Sequence, residues 1–183
     1  MKKAVCDHLS VGVAITDDAD RWLMFERVPP LVGVAPAACH VDDHGSTEKA
    51  ARHLVTGQLR LTVTGLELFA GGWRSYRCHR RVGAGHRAGH EWTVYRAIVT
   101  GDLAPGPHET RDARWLDVDR LQELTDRTAD HARGTLTAEA FAAAPGIEPM
   151  WVWWLHVLGA VNATHREMVL IGALAERSPT TIA

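Results

Sequence analysis

The stretch Ala37-Ala38-Cys39-His40-Val41-Asp42-Asp43-His44-Gly45-Ser46-Thr47-Glu48-Lys49-Ala50-Ala51-Arg52-His53-Leu54-Val55-Thr56-Gly57-Gln58-Leu59-Arg60-Leu61 decides how this chain folds. Its first part continues an extended segment, Val34 to Val41. Ser46 or Thr47 then caps a helix, with Glu48 in its first turn. Ala50, Ala51, Leu54, Val55 and Leu59 keep helical spacing, so one face of that helix is apolar. Outward from this unit, His8 to Thr16 reads as a strand, Asp17-Asp18-Ala19-Asp20 as a turn and Trp22 to Val28 as a second strand. Pro29-Pro30 ends that hairpin. On the other side, Thr62 to Phe69 reads as a strand. Trp92 to Val99 is a strong one, rich in β-branched and aromatic residues. Ala113 to Leu116 is a short strand and Asp117 to Thr125 a helix. The order is mixed α/β.

Composition bounds the rest. With 183 residues, 46% hydrophobic and 23% charged, the chain is long enough for one domain with an appendage. Formal net charge is −2, and eleven histidines bring it near zero at neutral pH. Neither nucleic acid nor an anionic membrane is an expected partner. Cys6, Cys39 and Cys78 are too scattered for a disulfide framework, so they read as reduced thiols and the chain as cytoplasmic. Met1 to His8 has no apolar leader-type run. The longest apolar stretch, Met150 to Val161, is too short to span a bilayer.

Past about residue 128 the composition shifts to Ala and Trp. Thr137 can cap a short helix that Pro145-Gly146 stops, and Glu148 to Glu176 reads as a long helix with a break near Gly159. Trp151, Trp154, Leu155 and Leu158 form one stripe, while Trp153 and Val157 add a second. A helix apolar on several faces belongs in a core or an oligomer interface. The expected division is a domain over residues 1–127 and a helical extension over 128–183, packed on that domain or across a homodimer.

At residues 37–61 the chain resembles the Nudix superfamily. His8-Leu9-Ser10-Val11-Gly12-Val13 is similar to the family's first strand, and Arg114-Trp115-Leu116-Asp117-Val118-Asp119-Arg120-Leu121 to its segment before the last helix. The resemblance covers about residues 8–125. It implies a Nudix-type α/β/α sandwich with a mixed sheet, to which the helical extension is added. The family box, G-x5-E-x7-R-E-U-x-E-E-x-G-U, places three helix glutamates on one face to hold Mg²⁺ or Mn²⁺ against a diphosphate. Aligned on His40-Val41 and Ala50-Ala51, the box is degenerate. Its first glycine falls on Cys39, its first glutamate on Gly45 and its arginine on His53. The three helix glutamates fall on Leu54, Gly57 and Gln58. No Asp or Glu lies between Lys49 and Gly65, so no shift of register restores a carboxylate set. The ordinary metal machinery is therefore not expected, and no cofactor is; a divalent metal remains possible, but not through the usual glutamates.

What remains offers other chemistry. If the strand stays extended, His40, Asp42 and His44 share a face, a set suited to a zinc-like ion or to acid–base work. The resembling isopentenyl diphosphate isomerases carry a metal-binding His at the position of His40. Their catalytic Cys would match Ala38, so isomerase chemistry is not implied. Gly89-His90-Glu91-Trp92 opens the strong strand, and His90 falls near a carboxylate that binds metal in those isomerases. His90 and Trp92 share a face that could stack and protonate a planar substrate. Trp73 to His90 holds five arginines and three histidines with no acid. Arg77, Arg80 and Arg87 are candidates there for an anionic handle, although a solvated hairpin tip reads equally well. Glu109 in the Pro-Gly-Pro-His-Glu loop matches a late catalytic glutamate of some Nudix enzymes. Cys39 could serve as a nucleophile only against its strand geometry, since its side chain points away from that of His40.

The leading expectation is a repurposed Nudix-fold enzyme acting on a small anionic or aromatic metabolite through histidine acid–base or histidine–metal chemistry. Its catalytic candidates are His40, His90 and Glu109. Its substrate-binding candidates are Leu54, Gln58, Trp92, Arg77, Arg80 and Arg87. The metal, if there is one, would be held by His40, Asp42, His44 and His90. A non-catalytic binding or regulatory module is the alternative, and a nucleoside-diphosphate hydrolase the second. The expected pocket lies between the strand at His40, the strand at His90 and the helix face of Leu54 and Gln58.

Overall fold

The computed structural model describes residues 5–27, 32–78, 80, 88–105 and 111–177. Two sheets form the centre. The first is four-stranded, ordered β4 (Ala37–His40), β1 (Leu9–Ile15), β6 (His90–Thr100), β5 (Thr62–Arg74). The pairing of β1 with β6 is parallel and the others antiparallel, so the sheet is mixed, as expected. The second is three-stranded, ordered β3 (Val34–Ala35), β2 (Trp22–Glu26), β7 (Arg111–Leu116). The extended segment Val34 to Val41 is thus two strands in two sheets. Pro36, which has no N–H to give a ladder, separates them.

The alternation of side chains divides the interior into two cores. Val11, Val13 and Ile15 of β1, with Leu23 and Phe25 of β2, face α1 (Thr47–Leu59). All five apolar positions of the expected α1 stripe, Ala50, Ala51, Leu54, Val55 and Leu59, are buried there. Ser46 is the N-cap, its side chain accepting from the Lys49 N–H. Ala14, Trp22, Met24, Trp92 and Val94 face the other way, into a core closed by α2 (Val118–Arg133), α4 (Pro149–Val157) and α5 (His165–Glu176). The layers are helix, sheets, helices: an α/β/α sandwich.

One helix end differs from expectation. The helix expected to end at Thr125 runs to Arg133, because Leu124, Thr125, Thr128 and Ala129 stay buried and Gly134, in the left-handed region, supplies its stop. Residue 127 therefore lies inside α2. The long C-terminal helix is broken as the sequence suggests, with Gly159 at φ 75° between α4 and α5. Thr137 caps α3 (Ala138–Ala143), also as expected.

The extension's tryptophans enter the second core. Trp151 and Trp154 are fully buried, with Trp92 edge-on to Trp151 at 5.8 Å between centroids. A Cβ on Gly12 would lie 2.6 Å from the Trp151 ring, so the ring seats directly on β1 where a side chain is missing.

Candidate metal centre

The sheet register brings the two histidines together. β1 lies between β4 and β6, with Ser10 opposite His40 on one side and opposite Trp92 on the other. His90 stands one side-chain repeat before Trp92 on the same face. His40 and His90 therefore converge over Ser10, with ring centroids 4.7 Å apart. Both are buried.

Two further side chains close the group. Cys6 comes from the segment before β1 and Cys78 from the segment after β5. Cys6 Sγ lies 2.9 Å from His90 Nε2 and 3.7 Å from His40 Nε2, and Cys78 Sγ lies 3.4 Å from His40 Nε2. The four donor atoms all lie within 4.8 Å of one another, and all four side chains are buried. A tetrahedral ion bound to two thiolates at about 2.3 Å and two imidazoles at about 2.0–2.1 Å would set those atoms roughly 3.3–3.8 Å apart. Two sulfurs and two nitrogens in that arrangement suit Zn²⁺.

The surroundings are built for such a site. Cys6 Sγ accepts the His8 N–H and Cys78 Sγ accepts the Arg80 N–H, each at 3.3 Å and each from two residues on. At Cys78 that bond favours the thiolate over the thiol. Burial, and after it the neighbouring Cys6, act the other way and push the Cys78 thiol up to about 11, a penalty a bound cation would reverse. On His90, Nδ1 sits 2.5 Å from Ser10 Oγ and 2.9 Å from the Tyr76 hydroxyl. With Nδ1–H donating there, Nε2 is the nitrogen aimed at the sulfurs, the outer-shell arrangement that orients metal-bound imidazoles.

The backbone around the site is held at four points. The Asp42 N–H donates to Asp7 Oδ2 at 2.7 Å, the Glu91 N–H to the His8 carbonyl at 2.8 Å, and His8 Nδ1 to the Gly89 carbonyl at 2.9 Å. Gly89, at φ 144°, passes so close to β5 that a Cβ would lie 2.4 Å from the Arg74 carbonyl oxygen. The fourth tether is the Arg80 guanidinium, which grips both Asp42 carboxylate oxygens. Arg80 stands two residues after Cys78, and Asp42 two after His40.

The other candidate residues are placed as follows. The strand ends at His40, and a 3-10 turn over Asp42–His44 carries Asp42 and His44 off its face. Asp42 pairs with Arg80, and His44 lies against His53 at 4.6 Å between centroids. His40 and His90 are thus joined by Cys6 and Cys78, not by Asp42 and His44. Leu54 is buried in the α1 core, on the opposite face of the sheet from His40 and His90, so it does not wall their site. Gln58 is half-buried on the same helix. Trp92 belongs to the tryptophan core beside the histidines. Arg77 is exposed, and its backbone N–H donates to the Ala175 carbonyl. Glu109 and Arg87 lie outside the described residues. Cys39 faces the α1 core, and burial pushes its thiol up to about 12, which leaves it protonated and unsuited to nucleophilic attack.

No family model matches the sequence, and no curated protein matches it. Solved structures do. A Nudix hydrolase from Nitrosomonas europaea superposes with a TM-score of 0.52 at 16% identity, covering 84% of this chain and 88% of that one. The Nudix domain of NrtR from Shewanella oneidensis, in complex with ADP-ribose, superposes with a TM-score of 0.51 at 15% identity, covering 66% and 78%. The chain has the Nudix fold. Within that fold the residues do not suit the carboxylate-held Mg²⁺ or Mn²⁺ of the Nudix box. Glu48 is the one acid on α1, and Arg52 pairs with it at 3.1 Å. Gly57 offers no side chain, and Leu54 is buried apolar surface.

Proposed function

We propose that this chain is a Nudix-fold protein in which a structural Cys₂His₂ zinc site stands in place of the carboxylate–magnesium centre, and that it works by binding a small molecule rather than by hydrolysing a diphosphate. The observation that carries this is the set Cys6, His40, Cys78 and His90, four buried ligands from four separate segments with their donor atoms within 4.8 Å. Four protein ligands fill a tetrahedral zinc shell. A catalytic zinc keeps a position open for water, and a buried set of four does not. What the ion supplies is connection, tying the N-terminal segment, β4, the exit of β5 and the start of β6 together.

A repurposed enzyme with His40 and His90 as acid and base is the competing reading, favoured by their approach and by the Tyr76 hydroxyl on His90. It needs ring nitrogens free to exchange protons, and nitrogens bound to metal are not.

The test is made on the full chain purified without added metal. Zinc near one equivalent per chain is expected by elemental analysis, with at least a tenfold loss in Cys6→Ser and Cys78→Ser. Incubation with ADP-ribose or nucleoside triphosphates and Mg²⁺ should release no phosphate or nucleoside monophosphate above background. Metal-dependent hydrolysis would overturn the proposal. So would full zinc occupancy in both cysteine variants.

A further inference from the structure

A separate cavity of about 270 Å³ opens where the end of β5 meets α4 and α5. Trp73 and Arg74 form one wall; Met150 and Trp153 of α4 and Met168 and Gly172 of α5 form the others. Apolar side chains mix with Arg74, Ser75 and Glu176 in this lining, and three of its residues carry an unsatisfied donor. Arg74 Nε, Trp73 Nε1 and Trp153 Nε1 are buried and find no hydrogen-bond partner among the described residues. The indole N–H groups of Trp92, Trp151 and Trp154 are unsatisfied too, but those rings do not line the cavity.

Arg74 is fixed for recognition. Its guanidinium carbon sits 3.8 Å from the centroid of the Trp153 ring and 5.5 Å from that of Trp154. This stacking sets the plane of the guanidinium without using its hydrogen bonds. Among the described residues no carboxylate lies within ion-pair distance of it, and burial alone pulls its pKa below the usual arginine value. A stacked cation with no carboxylate partner calls for an anion.

We propose that this cavity binds a small aromatic carboxylate, its oxygens accepting from the Arg74 guanidinium and its ring packed among Trp73, Met150, Trp153 and Met168. Charge selects a carboxylate over a phosphate. Glu176 also lines the cavity, so one cation and one rim carboxylate leave no surplus positive charge for a dianion. The lining suits a ring, because Trp73, Met150, Trp153 and Met168 offer aromatic and thioether surface. The proposal rests on the reading of the chain as a binder, but not on the metal.

Titration calorimetry of the full chain, with zinc measured on the same samples, tests it with three probes: phenylacetate, its neutral amide phenylacetamide, and phenyl phosphate. One saturable phenylacetate site per chain is expected. The amide and the phosphate should bind at least tenfold more weakly. Arg74→Met should lose at least tenfold in phenylacetate affinity, and Gly172→Leu, which fills the open space, at least as much. Glu176→Gln should bind as tightly or more so. Near-UV dichroism and Tm of each variant report whether it folds, and Gly172→Leu carries the test should Arg74→Met fail to. Absence of saturable phenylacetate binding would overturn the proposal, as would binding unmoved by Gly172→Leu. Preference for phenyl phosphate would overturn the choice of carboxylate. Diphosphate hydrolysis would overturn the binder reading through a separate assay, so the two failures are distinguishable.

Discussion

At the scale of single residues, His40 and His90 could be found in the sequence and their partners could not. The resemblance marks His40, and the strong strand marks His90. Cys6 and Cys78 stand 72 residues apart, and neither has a second cysteine two to four residues away to mark a metal motif. Only the β1 register, with Ser10 opposite both His40 and Trp92, shows which segments meet. The misplacement of Asp42 and His44 has a local cause: Asp42 takes φ 45° and the chain turns, ending the two-residue alternation on which their shared face depended. Asp42 gives a prediction of its own. The Arg80 guanidinium holds its carboxyl below the ordinary carboxylate value of 3.8. A depressed pKa contributes stability present above pH 3.8 and lost only as pH falls through the lowered value. Asp42→Asn should therefore destabilise the fold modestly at pH 7, by less than about 1 kcal/mol for so exposed a pair, and the difference from the unaltered protein should shrink only at strongly acid pH and at high salt. Thermal melts across pH and salt check this; a difference that vanishes already between pH 7 and 5 would contradict it.

At the scale of elements, the helix at the centre of the box was the most legible part of the chain. Its cap, its apolar stripe and its ends follow from residues 46–60, and what they cannot show is which sheet face the stripe covers. That missing face is why Leu54 was expected beside the histidines. Two glycines on neighbouring elements test the packing with opposite signs. Gly57 lies in the exposed interior of α1, where a Cβ would meet nothing nearer than His53 at 3.7 Å. Gly57→Ala should stabilise by about 0.5–1 kcal/mol, the gain of replacing a helical glycine. Gly12→Ala should instead destabilise by about 1–3 kcal/mol, since the new methyl meets the Trp151 ring. Denaturant titration of both variants, with unchanged slopes, reads the two signs directly.

At the scale of the whole molecule, the extension is what separates this chain from a bare sandwich. Its tryptophans were visible in the sequence as too much apolar surface for a tail; that they seat on β1 at Gly12, beside His90 and Trp92, was not. They fill the sheet face opposite α1, leaving the cavity at Arg74 as a space bounded by the extension itself. Trp151→Ala, which empties a fully buried site, should cost about 3–5 kcal/mol and be read as a fall in denaturation midpoint. The four ligands Cys6, His40, Cys78 and His90 join four separate segments of this molecule. X-ray absorption at the zinc edge of the purified full chain tests the proposed zinc centre most directly. Two sulfur neighbours at about 2.3 Å and two nitrogen neighbours at about 2.0–2.1 Å are expected. A shell of oxygen and nitrogen alone, or zinc at well below one equivalent per chain, would contradict it.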